Sequence, residues 1–278
     1  MSDGLELFVC PVCGGELRRS GGCLSCDKGH SFDIAAQGYV NLMLTSRSGS
    51  GDNAMMVASR RRFLEHGYYG IFRDAISALA AKIYKRENSG SVVFIDAGCG
   101  EGYYTKGVCE ALRACGAEVK AAGIDISKPA VKSAAKRCCG AGFCVGSAFK
   151  MPLKAECGDI VLSVFAPLSE EEFLRVLRRG GSLIIAAPGQ RHLFGLKEAI
   201  YDKPYENEPN RFDFPGFEHV GVKTVGGVIC IDRREDILSL FEMTPYYWKT
   251  SAEGSRRLKE LNRLRTEIQF ELHELRKL

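Results

Sequence analysis

An apolar run, Val92-Val93-Phe94-Ile95, leads straight into Asp96 and three alternating glycines, Gly98, Gly100 and Gly102. A helical stretch follows at once, from about Tyr103 to Leu112. This order of residues is the strand–turn–helix unit of a parallel sheet with a ligand at the strand's end. Gly98 and Gly100 let the backbone approach that ligand where a Cβ would block it. The start of the helix offers it N–H groups that no helical carbonyl satisfies.

The spacing Gly-x-Gly-x-Gly differs from the Gly-x-Gly-x-x-Gly of dinucleotide binders. With Asp96 two residues ahead, it resembles the first motif of the class I S-adenosylmethionine-dependent methyltransferases. A second strand, Val119 to Ile124, also ends in an acid, Asp125. An acid there is placed to accept hydrogen bonds from the ribose hydroxyls of an adenosine.

Near the front stand Cys10-Pro-Val-Cys13, Cys23-Leu-Ser-Cys26 and His30. Two Cys-x-x-Cys pairs at this spacing suit a small tetrahedral zinc site. Five candidate ligands compete for four places. Cys10 and Cys13 form one half, and either Cys23 with Cys26 or Cys26 with His30 completes the set. So short a segment cannot bury an adequate core, so a metal would supply folding energy.

The chain has 278 residues, enough for one α/β domain and a small accessory module. The expected division is a zinc module at 1–44, a linker with helices at 45–88, and a catalytic domain at 89–278. No apolar stretch is long enough to span a bilayer, and Met1–Leu5 shows no basic region followed by a hydrophobic segment. A cytoplasmic, reducing setting is therefore expected for the twelve cysteines. Those outside the zinc cluster, from Cys99 to Cys230, read as small packing residues. A net charge of +4 does not by itself imply nucleic acid. The triple Arg60-Arg61-Arg62 is the local cluster that suggests an RNA contact.

Thr45–Asn53 is rich in Ser and Gly and reads as a hinge. Helices are expected at 54–65, 71–85, 103–114, 128–138, 169–177, 191–201 and 253–265. Strands are expected at 92–96, 119–125, 142–146, 159–165 and 182–187, with a short paired segment within 36–44. This alternation describes a doubly wound sheet, Rossmann-like, with helices on both faces. Ile268, Phe270 and Leu272 alternate with polar residues, which predicts a late strand antiparallel to its neighbours.

Taken together, the segments CPVC, AAQGYVNLM, MMVASRRRFLEHGYYGIFRDAI, DAGCGEGYYT, GIDISKPAVKSAAKR, SVFAP, RRGGSLIIAAPGQRHLFGLK and MTPYYW resemble, in collinear order, the bacterial 23S ribosomal RNA guanine-N1 methyltransferases. The resemblance implies a class I methyltransferase fold with an N-terminal zinc ribbon. It also implies methyl transfer from S-adenosylmethionine to N1 of one guanine in a 23S rRNA hairpin. The implied zinc ligands are Cys10, Cys13, Cys26 and His30, which leaves Cys23 spare. The implied cofactor residues are Tyr69, Asp96, Gly98, Gly100, Glu101, Asp125, Ser147, Ala148 and His192. Asp125 would serve the ribose, Ser147 and Ala148 the adenine, and Tyr69 would close over the cofactor. Phe165 and Pro167, closing the fourth strand, stand where base methyltransferases hold the target. Trp248 with Tyr246 and Tyr247 reads as core packing, with a base-stacking wall as the alternative. No catalytic base is identified, no membrane partner is expected, and a homodimer is left open. Asp202–Glu218 and 253–265 match the family least. A small-molecule methyltransferase, or a non-catalytic zinc- and cofactor-binding assembly factor, are the competing readings.

Overall fold

Phe94 and Ile95 are both fully buried, on opposite faces of one strand, so the sheet that holds them is covered on both sides. The computed structural model describes residues 4–45, 51–87, 90–137 and 140–278. The expected Ser/Gly hinge falls largely on 46–50 and so lies outside the described residues, as do Cys138 and Cys139.

Three short strands, β1 (Arg18–Ser20), β2 (Cys23–Ser25) and β3 (Ser31–Asp33), form a small antiparallel sheet. Then come β4 (Tyr39–Asn41), α1 (Ala54–Glu65) and α2 (Gly70–Glu87). The alternating part runs β5 (Ser91–Ala97), α3 (Tyr103–Ala114), β6 (Glu118–Asp125), α4 (Lys128–Arg137), β7 (Gly142–Val145), β8 (Gly158–Val164), α5 (Glu170–Val176), β9 (Leu177–Pro188) and α6 (Phe194–Ile200). The chain closes with β10 (Phe217–Ile231), α7 (Arg234–Glu242), α8 (Tyr246–Lys249), α9 (Ala252–Glu260) and β11 (Leu264–Lys277).

The eight-stranded sheet has the order β10-β11-β9-β8-β5-β6-β7-β4. β5 pairs in parallel with β6 on one side and β8 on the other. The chain therefore turns outward in both directions from β5, and the crevice beyond its C-terminal end is where such sheets bind ligands. β11 is antiparallel to both β9 and β10, as its alternation predicts. β10 was not expected, and the helix expected at 253–265 stops at Glu260. Arg265 lies on β11 instead.

Pleating sends the two faces of the sheet into two apolar layers. Val92, Phe94, Phe143 and Leu162 pack with Phe72, Ile76 and Leu112 of α2 and α3. Ile95, Ala97, Ile124 and Cys144 pack with Leu5, Phe8, Leu17 and Leu24 of the cysteine-rich module. Phe8 bridges Leu153 and the Val9 N–H donates to the Pro152 carbonyl at 2.9 Å, while β4 extends the main sheet beside β7. The module is thus one layer of the sandwich, not a free arm. Of the remaining cysteines, Cys99, Cys109 and Cys144 are buried as packing residues, but Cys230 is exposed on the edge strand, which corrects the packing role expected for it.

Candidate active site and zinc centre

Asp96 is the penultimate residue of β5, and its side chain is buried. Its Oδ2 accepts a hydrogen bond from Thr105 Oγ1 at 2.5 Å, which ties the strand to the first turn of α3. Burial, opposed by that hydrogen bond, pushes its pKa up to about 7. Its Oδ1 is buried and has no partner. Gly98 has φ +83°, and a Cβ there would meet the Ala166 Cβ at 2.4 Å, so the β5 turn can pass β8 only as glycine. At Gly100 (φ +54°) a Cβ would meet nothing within 4 Å, because the turn faces open space. The Gly100 N–H donates to Asp125 Oδ2 at 2.9 Å, and the Ser127 N–H donates to Asp125 Oδ1 at 2.8 Å. The ends of β5 and β6 are thereby locked together, and each Asp125 oxygen keeps a lone pair for a further donor. Burial raises the Asp125 pKa against these hydrogen bonds.

Glu101 turns toward α4. Its Oε2 accepts from Arg137 Nη2 at 2.6 Å and Nε at 3.0 Å, while Oε1 is buried without a partner. Arg137 also holds Glu65 of α1 at 3.0 Å, so this ion pair ties α1 to α4 beside the turn. Burial raises the Glu101 pKa against the pull of Arg137. Ser147 and Ala148 follow β7 in a half-buried turn, where Ser147 Oγ accepts from the Phe149 N–H at 3.2 Å. Phe149 itself is exposed, an aromatic at this rim that no motif in the sequence singles out.

Tyr69 and His192 come from sequence positions 123 apart and meet behind β8. The Tyr69 hydroxyl lies 3.3 Å from His192 Nε2, and the Gln269 N–H donates to His192 Nδ1 at 3.3 Å. Because Nδ1 accepts, the neutral ring carries its proton on Nε2, facing Tyr69. Burial pulls the His192 pKa down to about 3, so the imidazole is neutral at physiological pH and a poor proton acceptor. Tyr69 packs against Phe63, Phe72 and Phe270, and His192 against Phe270, in a buried aromatic block.

Phe165 lies over that block, 5.6 Å from Phe72 and 5.9 Å from His192, and is 46% exposed. Its φ is +51°, a conformation uncommon outside glycine and found where structure around a site imposes it. Pro167 is exposed beside it. Trp248 is 65% exposed and rests edge-on against Tyr247, which overturns the core-packing reading of this tryptophan. The three arginines do not form a patch. Arg60 pairs with Asp52, Arg61 with Glu65 at 2.8 Å, and Arg62 donates to Ser239 Oγ at 3.2 Å.

In the module, the ligand atoms of Cys10, Cys13, Cys26 and His30 all lie within 4.8 Å of one another. The Cys13 and Cys26 sulfurs are 3.7 Å apart. A tetrahedron with Zn–S distances of about 2.3 Å has edges of about 3.8 Å, so the four atoms fit a zinc ion. Burial disfavours the Cys26 thiolate, but backbone N–H groups of His30 and Lys28 outweigh it and bring its pKa to about 6, ready to ligate. Cys23 is not in this cluster. Its thiol points to the Ser20 carbonyl at 3.1 Å.

The glycine turn, its open space and two unpartnered buried carboxylate oxygens fit the sulfonium and ammonium charges of S-adenosylmethionine. The fold and site define a class I S-adenosylmethionine-dependent methyltransferase carrying a zinc ribbon. Residues 8–47 match the family model for the N-terminal zinc ribbon of RlmA, and residues 88–253 match a methyltransferase domain. The chain is 33% identical to a provisionally named 23S rRNA (guanine-N1) methyltransferase of Micromonospora griseorubida, over 89% of each chain. It is 31% identical to the 23S rRNA (guanine(748)-N1)-methyltransferase of Streptomyces fradiae, over 91% of this chain and 90% of that one. The chain belongs to the 23S rRNA (guanine-N1) methyltransferase family. Among the described residues, no helix is long and apolar enough to cross a membrane.

Proposed function

We propose that this protein methylates N1 of one guanine in a hairpin of 23S ribosomal RNA. The observation that carries the reading is Phe165. It is a half-exposed aromatic held in a left-handed conformation at the end of β8, one residue before the Ala166 that touches the cofactor turn at Gly98. An extruded base stacked there would have its edge beside that turn.

When bound, S-adenosylmethionine supplies an activated methyl group, so the protein's task is alignment and exclusion of water. Asp125 would take the ribose hydroxyls, with Ser147 and Ala148 beside the adenine. Asp96, Gly98, Gly100 and Glu101 would surround the methionine end, and Tyr69 with His192 would form its inner wall. The N1 proton must leave as the methyl arrives. His192, with a pKa near 3, is a poor acceptor for it, and its contribution is to fix Tyr69 and support Phe165. Residues 1–44, 45–88 and 89–278 would form the zinc ribbon, the connecting helices and the catalytic domain. The ribbon would offer shape contacts to the hairpin while acting as a layer of the fold.

The test is to supply labelled S-adenosylmethionine with 23S rRNA from a strain lacking this modification, and separately with a small-molecule extract. Label in one guanine of the RNA supports the reading. Label only in small molecules overturns it.

A further inference from the structure

Arg60 is the one member of the arginine triple that turns into the cofactor crevice. Its side chain is 26% exposed, and its guanidinium is paired with Asp52 and donates from Nη2 to the Met243 carbonyl at 3.2 Å. Burial pulls its pKa down, and the carboxyl groups of Asp125 and Glu101 and the phenols of Tyr104 and Tyr69 pull it back up. It is thus a cation set among acids and phenols around the glycine turn. Asp52, its partner, is fastened to the far side of the crevice, because Ser127 Oγ donates to the Asp52 carbonyl at 2.6 Å. Asn53 next to it caps α1 by accepting from the Met56 N–H at 3.0 Å. The start of α1 is therefore clipped to the loop that follows Asp125, and Arg60 joins that clip through Asp52.

The two unpartnered carboxylate oxygens, Asp96 Oδ1 and Glu101 Oε1, suit the cationic groups of the methionine end. They cannot serve its carboxylate, which needs hydrogen-bond donors and is held best by a cation. A guanidinium offers that carboxylate two parallel N–H groups in a rigid fork. We propose that Arg60 binds the α-carboxylate of S-adenosylmethionine, with Asp52 and the Met243 carbonyl positioning its guanidinium. This rests on the methyltransferase reading of the site.

Two probes separate the roles. S-adenosylhomocysteine carries the carboxylate, whereas 5′-methylthioadenosine keeps the adenosine and sulfur but lacks it. By calorimetric titration, Arg60→Gln should weaken S-adenosylhomocysteine by about 10- to 150-fold, the range for a lost charge-assisted hydrogen bond. Its affinity for 5′-methylthioadenosine should stay within about twofold, since no contact to the adenosine changes. Arg60→Lys keeps the charge without the fork and should fall between wild type and Arg60→Gln, with an unchanged melting temperature as the check on folding. Equal weakening of both probes would make Arg60 a structural residue, and no weakening of either would place it outside the site. Both results overturn the proposal. Failure of the wild-type protein to bind either probe would instead overturn the cofactor reading itself, and the proposal with it.

Discussion

Removing zinc, by a chelator or by Cys26→Ser, should destabilise the catalytic domain and not only the ribbon. Leu5, Phe8, Leu17 and Leu24 are buried in the same apolar layer as Ile95, Ala97 and Ile124 of the central strands. Burying each such side chain contributes about 1.5–3 kcal/mol, so the four together contribute about 6–12 kcal/mol. That is an upper figure, because a collapsed apo form keeps part of the burial. It is nevertheless of the size of a domain's whole stability, about 5–15 kcal/mol. Losing even about 3 kcal/mol should lower the melting midpoint by about 6–12 °C in a chain of this size. Calorimetric melts with and without chelator, with tyrosine and tryptophan signals reporting the catalytic domain, should show that domain's transition move down. Cys23→Ser should leave the metal and the midpoint in place. The same packing alters what a truncation would do: deleting 1–33 should strip one face of β5 and β6, and should not leave a sound cofactor domain. A catalytic transition that stays put while the ribbon melts separately would refute the shared-core argument.

Asp125→Ala removes the acceptor of two backbone N–H groups as well as a ribose contact. It should lower affinity for S-adenosylhomocysteine by about 1.5–3 kcal/mol and also lower the apo melting temperature; unchanged affinity in titration would remove Asp125 from the site. Asp96, with a folded pKa of about 7 against an ordinary 3.8, keeps its proton after the unfolded chain has lost it, so its contribution to stability falls as pH rises between these values. Asp96→Asn should flatten that part of the stability–pH profile and stabilise the apo protein at pH 8 while weakening the cofactor, and a denaturant series from pH 4 to 8 would detect the absence of this effect. Phe165→Ala and Trp248→Ala should weaken binding of an rRNA hairpin by about 1–3 kcal/mol for each stacked base lost, with cofactor affinity preserved; unchanged hairpin binding would leave both as bystanders.

The strands from β5 to β9 were legible because a parallel sheet covered on both faces writes itself as short apolar runs. Asp96 and Asp125 were legible because they end those runs. β10 was not. Residues 217–231 include Gly221, Gly226 and Gly227 and are mostly exposed, and they form a strand only because β11 lies beside them along its length. Spacing alone could not choose between Cys23 and His30. The fold separates them, placing the Cys23 thiol against the Ser20 carbonyl and the His30 ring among the other ligands. The arginine triple misled for a geometric reason. Successive helical residues point about 100° apart, so three adjacent charges on α1 face three different neighbours. Arg60 faces the crevice, and only the folded α1 could show it.

The most direct test of the central claim is to map the methyl group itself. After reaction with unmodified 23S rRNA, nuclease digestion and mass spectrometry should find a single new 1-methylguanosine, within a hairpin, and at limiting cofactor much less of it when Asp125→Ala replaces the wild type. A methyl on another atom or another base, or none on the RNA, would contradict the account.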